Sequence, residues 1–287
     1  MTNKIILITG ATSGIGFQTA KDLAAKGAAV YIVGRNKERA EEAVKEIIAH
    51  TGNKNAGYFL ANFSSQKSIR ALAEDVKQKL PRIDVLINNA GAVFPDFQLS
   101  EDGLEMTIAT NHFAYFLLTN LLLDLIKKSE AGRIVNVSSG SHYQGKLDFE
   151  SFTKNKGYFT MFAYAQSKLA NVFFTQELAE RLAGTNITVN CLHPGMVKTN
   201  IGNKEMPWFS SHMWTLITKL AGITLKDGAK TSVYLASSDD VKNVTGKYFD
   251  KCKIKKPAKI TLDKTLQKKL WEVSELYCPL QQTCLNG

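Results

Sequence analysis

Apolar and polar positions along this chain come in blocks. Short apolar runs at Lys4 to Ile8, Ala28 to Val33, Tyr58 to Leu60, Ile83 to Ile87, Ile134 to Val137 and Ile187 to Leu192 have the length and β-branched content of strands. Amphipathic stretches of helical spacing lie between them. Runs that lack inside-outside alternation are buried on both faces, so the pattern predicts an α/β fold with a parallel sheet covered by helices on each side. Ligands of such a fold bind at the carboxyl ends of the strands. A chain of 287 residues with 44% hydrophobic content can bury one large core, and no repeat, low-complexity tract or proline-rich linker marks a second module. A single domain over 1–287 is expected.

Two segments carry candidate chemistry. The first apolar run ends in TGATSGIG, residues 9–16, and a helix follows at once. Gly10, Gly14 and Gly16 let the backbone turn tightly and approach a pyrophosphate, whose charge suits the N–H groups and positive dipole end of that helix. The spacing G-x-x-x-G-x-G departs from the commoner G-x-G-x-x-G, and an ordinary tight turn is the bland alternative. In AYAQSK, Tyr164 and Lys168 are four residues apart, which puts them on one helix face with about 5–6 Å between Cβ atoms. A free phenol ionises near pH 10, so a neighbouring ammonium that favours the phenolate can turn tyrosine into a proton carrier at neutral pH. The same spacing also occurs in pairs on wet helix surfaces.

With these motifs in order, the chain resembles the short-chain dehydrogenases/reductases over nearly its whole length. Asn88-Asn89-Ala90-Gly91 resembles the family's sheet-supporting NNAG, which lies near the adenine-ribose side. Asn111 in ATNHFAY matches the asparagine that helps to hold a proton-relay water. The run Arg133 to Ser139 matches the strand that delivers the catalytic serine, and Pro194-Gly195 with Thr199 resembles the segment that contacts the nicotinamide carboxamide. NHFAYFLLT, YAQSKLANVFFTQELAERL and WEVSE are similar to the retinol-dehydrogenase-like branch. The serine of that branch is the second of its pair, which selects Ser139 over Ser138. The resemblance implies a Rossmann-type doubly wound sheet of order 3-2-1-4-5-6-7 and a catalytic set of Asn111, Ser139, Tyr164 and Lys168. The implied cofactor contacts are Gly10, Ser13, Gly14, Ile15, Gly16, Arg35, Asn36, Asn62, Phe63, Asn89, Ala90, Gly91, Tyr164, Lys168, Pro194, Gly195, Val197 and Thr199. It also implies a homodimer or homotetramer.

The end of the second strand addresses the choice of cofactor. NAD-selective family members carry aspartate where this chain has Gly34, and Arg35 follows it. Loss of a carboxylate and gain of a guanidinium both favour a 2′-phosphate, so NADP(H) is expected. Arg35 as a plain surface residue is the alternative. Asn62 stands where the family usually has an aspartate that accepts from the adenine amino group, and its carbonyl oxygen can still accept. The mechanism implied is hydride transfer to a carbonyl carbon, with Ser139 holding the oxygen and Tyr164 donating the proton, or the reverse on an alcohol.

Further features shape the substrate and the setting. Twenty-five residues separate Ser139 from Tyr164, more than in many family members. The inserted segment 142–162 carries Tyr143, Phe149, Phe152, Tyr158, Phe159 and Phe162, and either lines a lipophilic pocket or packs on its own aromatics. Positions of about 200–225, with Met206, Trp208, Phe209, Met213 and Trp214, fall where the family places its substrate lid. A small lipophilic, retinal-like aldehyde, ketone or alcohol is the expected substrate; burial of this segment against the core or a second subunit is the alternative. Ten lysines between Lys242 and Lys269 face only Asp250 and Asp263, so this stretch holds most of the net charge of +10. A solvated face explains it better than an acidic partner, and no nucleic-acid motif accompanies it. Four cysteines show no metal spacing or disulfide framework. No apolar run reaches the ~18–20 residues of a membrane span, which predicts a soluble, cytoplasmic protein. Two other functions share these motifs: a scaffold that senses NADP without turnover, and a nucleotide-sugar epimerase. The first is expected to lose part of the catalytic set, and the second has a longer chain with a G-x-x-G-x-x-G turn.

Overall fold

Burial above and below the sheet is visible within its first strand, β1 (Ile5–Thr9): Ile6 and Ile8 belong to one apolar layer and Leu7 to the other. The computed structural model describes residues 1–195 and 223–280, and Val197, Thr199 and nearly all of the expected lid lie outside the described residues. β1 pairs with β2 (Ala29–Gly34) and β4 (Val85–Asn88); β3 (Ala56–Leu60) flanks β2. β5 (Gly132–Val137), β6 (Ile187–His193) and β7 (Tyr248–Asp250) continue the sheet in parallel. The order is β3-β2-β1-β4-β5-β6-β7-β8, which contains the expected order and adds one strand.

That extra strand corrects the expectation of a wholly parallel sheet. β8 (Lys253–Lys255) runs antiparallel to β7 across a two-residue turn at Lys251 and Cys252. Both turn residues have positive φ, 49° and 61°, as a hairpin matched to strand twist requires. Neither is glycine or asparagine, and all three strand residues are exposed, so no turn signal or alternation announced the strand.

Helices cover both faces. α1 (Gly14–Ala25), α2 (Lys37–Thr51) and α6 (Leu225–Ser237) lie over the layer of Ile6, Ile8, Val30 and Ile32. α3 (Gln66–Lys79), α4 (Ala114–Lys127) and α5 (Thr160–Arg181) cover the layer of Leu7, Leu86 and Ile134. α7 (Lys264–Tyr277) closes over α4 and α5, where Trp271 meets Phe116 at 4.9 Å and Phe174 at 6.0 Å between ring centres. Asn36, Ser65, Thr224 and Asp263 accept from the first-turn amides of α2, α3, α6 and α7. Ser13 makes no such bond at α1.

Within the inserted segment 142–162 the aromatics differ in burial. Phe152 is fully buried against Phe113 and Phe149, at 5.6 and 5.5 Å, and its carbonyl accepts from the Glu105 amide. Phe159 and Tyr143 are exposed. Among the described residues no helix is long and apolar enough to cross a membrane.

Trp271→Ala should lower unfolding stability by about 3–5 kcal/mol, the usual cost of deleting a packed aromatic. A urea midpoint equal to that of the wild type would show that α7 is not integral to the core.

Candidate active site

The nucleotide side of the site is built from backbone. Gly10 and Gly14 have φ of +63° and +64°, a region that favours glycine. A Cβ on Gly10 would lie 2.6 Å from the Ala90 Cα, and one on Gly16 would lie 2.4 Å from the Asn89 Nδ2. The turn is therefore held tightly against the NNAG segment. Thr9 Oγ1 accepts from the amides of Asn89 and Ala90 at 2.9 Å, and Asn89 Nδ2 donates to the carbonyls of Thr9 and Gly10. Nothing lies within 4 Å of where a Gly14 Cβ would stand, and the uncapped amides of α1 begin there. An open concave turn beside free helix amides fits a pyrophosphate, so the residues present suit a pyridine dinucleotide.

At the end of β2 the Thr12 side chain fills the place of a side chain on residue 34, its Cγ2 2.4 Å from where a Cβ on Gly34 would stand. Arg35 beyond it is exposed. Asn36 uses its carbonyl oxygen on the Arg39 amide at 2.8 Å as the cap of α2. Asn62 Oδ1 accepts from Ser64 through both its amide and its hydroxyl, at 3.2 and 2.9 Å, so an adenine donor would share that oxygen. The Phe63 ring is buried in the core.

The remaining polar residues meet where β5 ends against α5. Ser138 donates from Oγ to the Lys168 carbonyl at 2.7 Å, and Lys168 Nζ donates to the Val137 carbonyl at 3.1 Å. These bonds turn Ser138 inward, while Ser139 Oγ donates to Ser141 Oγ at 3.3 Å, accepts from the Ser141 amide at 3.2 Å and lies within reach of the Tyr164 phenol. Burial pushes the Tyr164 phenol above its ordinary value, partly offset by hydrogen bonding from Ser139. Lys168 lies with Nζ 5.6 Å from the Tyr164 ring centre, and burial lowers its ammonium to about 8. In the protein alone the phenol stays above its ordinary value, because desolvation of the ring outweighs the hydrogen bond from Ser139. The site thus holds a protonated phenol beside a cation.

Asn111 sits in a π-helical turn, Ala109–Phe113, ahead of α4. Its side chain accepts from the Ala92 amide at 2.8 Å and donates to the Ala92 carbonyl and Ser167 Oγ at 2.9 and 3.0 Å. A Cβ on Gly91 would meet Asn111 Oδ1 at 3.2 Å and Lys168 Nζ at 3.4 Å. Asn111, Lys168 and Gly91 are therefore neighbours, as the motif order implies. Pro194 and Gly195 follow β6 on the same sheet edge, Gly195 with φ +89°. Three residues that sequence reasoning passed over complete the arrangement. Thr12 fills the space beside Gly34, and His142 and His193 bind the turn that carries Ser139. The long-range partners that reveal the histidines leave no spacing signal in the sequence.

Comparison with known proteins agrees with this architecture. The profile of the short chain dehydrogenase family matches residues 4–209. Mouse retinol dehydrogenase 14 is 42% identical over 287 aligned positions, covering 96% of this chain and 86% of the relative. Human retinol dehydrogenase 13 is 40% identical over 275 positions, covering 94% and 83%. A short chain dehydrogenase from Shigella flexneri 2a, solved in complex with NADP, superposes with a TM-score of 0.69 at 28% identity, over 88% of this chain and 98% of that one.

Burial also sets a pH response. It lowers His112 to about 3 and His142 to about 4, so the folded chain refuses protons that the unfolded chain binds from about pH 6.5 downward. Stability is therefore full above that value and falls as pH drops toward 4, with each histidine adding a slope of up to about 1.4 kcal/mol per pH unit. Urea midpoints measured from pH 7 to 4.5 should decline accordingly; a flat series would show that these imidazoles are not buried neutral.

Proposed function

The chain belongs to the short chain dehydrogenase family and is an oxidoreductase of alcohols and carbonyls; within that family we propose that it uses NADP(H) to interconvert a lipophilic aldehyde or ketone with its alcohol. The observation that carries the mechanism is the meeting of Ser139, Tyr164 and a buried Lys168 at the end of β5. NADPH, when bound, supplies the hydride. Ser139 holds the carbonyl oxygen and Tyr164 donates its proton to that oxygen as negative charge develops. A phenol whose ordinary value is raised is the acid that reduction needs. Lys168 stabilises the phenolate left behind, and Asn111 keeps the floor of the site in place through Ala92 and Ser167.

Support for NADP comes from the end of β2. Thr12 stands where the side chain of an aspartate would begin, and Arg35 supplies a cation for the 2′-phosphate. The NADP complex of the Shigella flexneri relative is consistent with this. Support for a lipophilic substrate comes from the approach to Tyr164. Met161, one helical turn before it, is 40% exposed, and Phe159 is 65% exposed. Tyr158 donates to the Phe94 carbonyl at 2.7 Å and Thr160 to the Pro95 carbonyl at 2.8 Å. These bonds tie the end of the insert to the segment after Gly91, and the exposed apolar side chains of Phe159 and Met161 lie five and three residues before Tyr164 on the chain. The names of the relatives, retinol dehydrogenases 13 and 14, point to the same substrate class.

Tyr164→Phe should reduce turnover by about 10²–10⁴-fold while NADPH binding stays largely intact, measured by NADPH oxidation and by titration calorimetry. Retained turnover would refute the proton-donor role. Arg35→Ala should weaken NADPH by about tenfold and leave NADH unaffected; equal losses for both would remove the 2′-phosphate assignment. A carbonyl screen in which only small polar sugars or hydroxy acids react would overturn the lipophilic assignment.

A further inference from the structure

The turn that presents Ser139 is gripped by two imidazoles that the catalytic set does not include. His193, the last residue of β6, accepts at Nδ1 from the Gly140 amide at 3.1 Å and from the Gly195 amide at 3.3 Å. One nitrogen thus joins the serine turn to the Pro194-Gly195 turn. Two N–H donors at Nδ1 require a lone pair there, which places the ring proton on Nε2. His142 has the opposite tautomer. Its Nε2 accepts from the Ala258 amide at 3.2 Å, so Nδ1 carries the proton and donates to the Ser139 carbonyl at 2.7 Å. His142 is fully buried between Tyr143 and Tyr248, with ring centres at 4.0 and 4.6 Å.

The two contacts act on adjacent backbone groups. His142 fixes the carbonyl of Ser139 and His193 fixes the next amide, that of Gly140, so the peptide unit following Ser139 is held from both sides. The backbone from which the Ser139 side chain projects is thereby fixed, and Ser141 in the same turn holds the hydroxyl itself, accepting from Ser139 Oγ at 3.3 Å and donating its amide to it at 3.2 Å. We propose that His193, with His142, is a positioning residue of the reaction: its unprotonated Nδ1 clamps the serine turn to the Pro194-Gly195 turn and so aligns Ser139 with Tyr164. This inference rests on the proposed roles of Ser139 and Tyr164.

The surroundings keep both rings neutral. His193 faces Asp250, Lys251 and Lys255, and burial outweighs the carboxylate to lower it; His142 faces His193, Lys255, Tyr143 and Tyr248 and is lowered to about 4. Protonation at His193 Nδ1 or His142 Nε2 would put a hydrogen where a backbone N–H already points.

The test compares His193→Leu with His193→Asn in the full chain. The asparagine carbonyl oxygen can take the place of Nδ1 as acceptor, whereas leucine fills the space without one. His193→Leu should lower kcat by about ten- to a hundredfold, the scale expected when a reacting group is displaced by a fraction of an ångström to 1 Å. The affinity for NADPH, set mainly at the glycine turn and Arg35, should fall by much less than kcat, the released Gly195 being one contact among many. His193→Asn should recover most of the lost kcat. Wild-type kcat in the leucine variant overturns the clamp, and so does an equal loss in both variants. Amide hydrogen exchange at Gly140 and Gly195 gives a readout independent of turnover: both sites should be protected in wild type and in His193→Asn and exposed in His193→Leu. Should the wild type reduce no carbonyl compound, the functional assignment fails while the exchange pattern still decides the clamp. If His193→Leu does not fold, ¹⁵N imidazole shifts of the wild type decide it, since a charged His193 at pH 7 or an Nδ1–H tautomer overturns the proposal.

Discussion

A buried ammonium fixes the geometry on which the site depends. Lys168 is 4% exposed, and an unpaired charge in that position would carry a desolvation penalty of several kcal/mol. The fold meets it with the Val137 carbonyl at the end of β5, and Ser138 returns a hydroxyl to the Lys168 carbonyl. Asn171, one turn further along α5, reaches the same Val137 oxygen at 3.4 Å. Strand end and helix are thereby locked in one register, and Ser139 and Tyr164 inherit their separation from it. The same burial that lowers the ammonium raises the phenol, so desolvation prepares both members of the pair: one as a soft cation, the other as a retained acid.

A second polar system, inside the sheet, keeps the strand ends level. Asn88 Nδ2 donates to Asn136 Oδ1 at 2.8 Å and to Thr119 Oγ1 at 2.9 Å, and Asn136 Nδ2 donates to Thr175 Oγ1 at 2.9 Å. These amides are fully buried, so each unmade bond would leave a desolvated donor, and a register slip of either strand is disfavoured by far more than one bond's net worth. β4 and β5 therefore deliver the NNAG segment and Ser139 to the same edge. Thr9 completes the line by accepting from the two amides after Asn88.

Legibility in the sequence follows how local the cause is. Strands β1 to β6 could be read because each contains a short apolar run, and the Tyr164–Lys168 pair because the two residues share one helix turn. β8 could not, since its stability comes from pairing with β7 while its own residues are three exposed positions. The choice between Ser138 and Ser139 rested on resemblance in the sequence; the structure adds that the Ser138 hydroxyl is engaged by the Lys168 carbonyl. His142 and His193 were invisible for the same reason as β8. Their partners, Ala258 and Gly140, are distant along the chain and bind through backbone amides, which no residue type encodes.

The lysine-rich C-terminal stretch becomes intelligible once its place in the sheet is known. β8 is an edge strand, and an edge of unpaired backbone groups invites another strand to add to it. Lys253 and Lys255 sit on that edge, exposed, and charged side chains there oppose such pairing by forcing ammonium groups together. Several lysines of the stretch are individually occupied: Lys255 with Asp250 at 3.0 Å, Lys264 with Glu180, and Lys269 over the Phe149 ring at 5.0 Å. Such exposed pairs add little stability each. Their placement instead keeps a short, otherwise weak strand in solvent and single-sided, while the backbone just beyond it, at Lys256 and Ala258, is fastened to Tyr143 and His142 beside Ser139. An edge left free to recruit another chain would pull on the turn that positions Ser139, so protecting the edge and holding the site are one constraint.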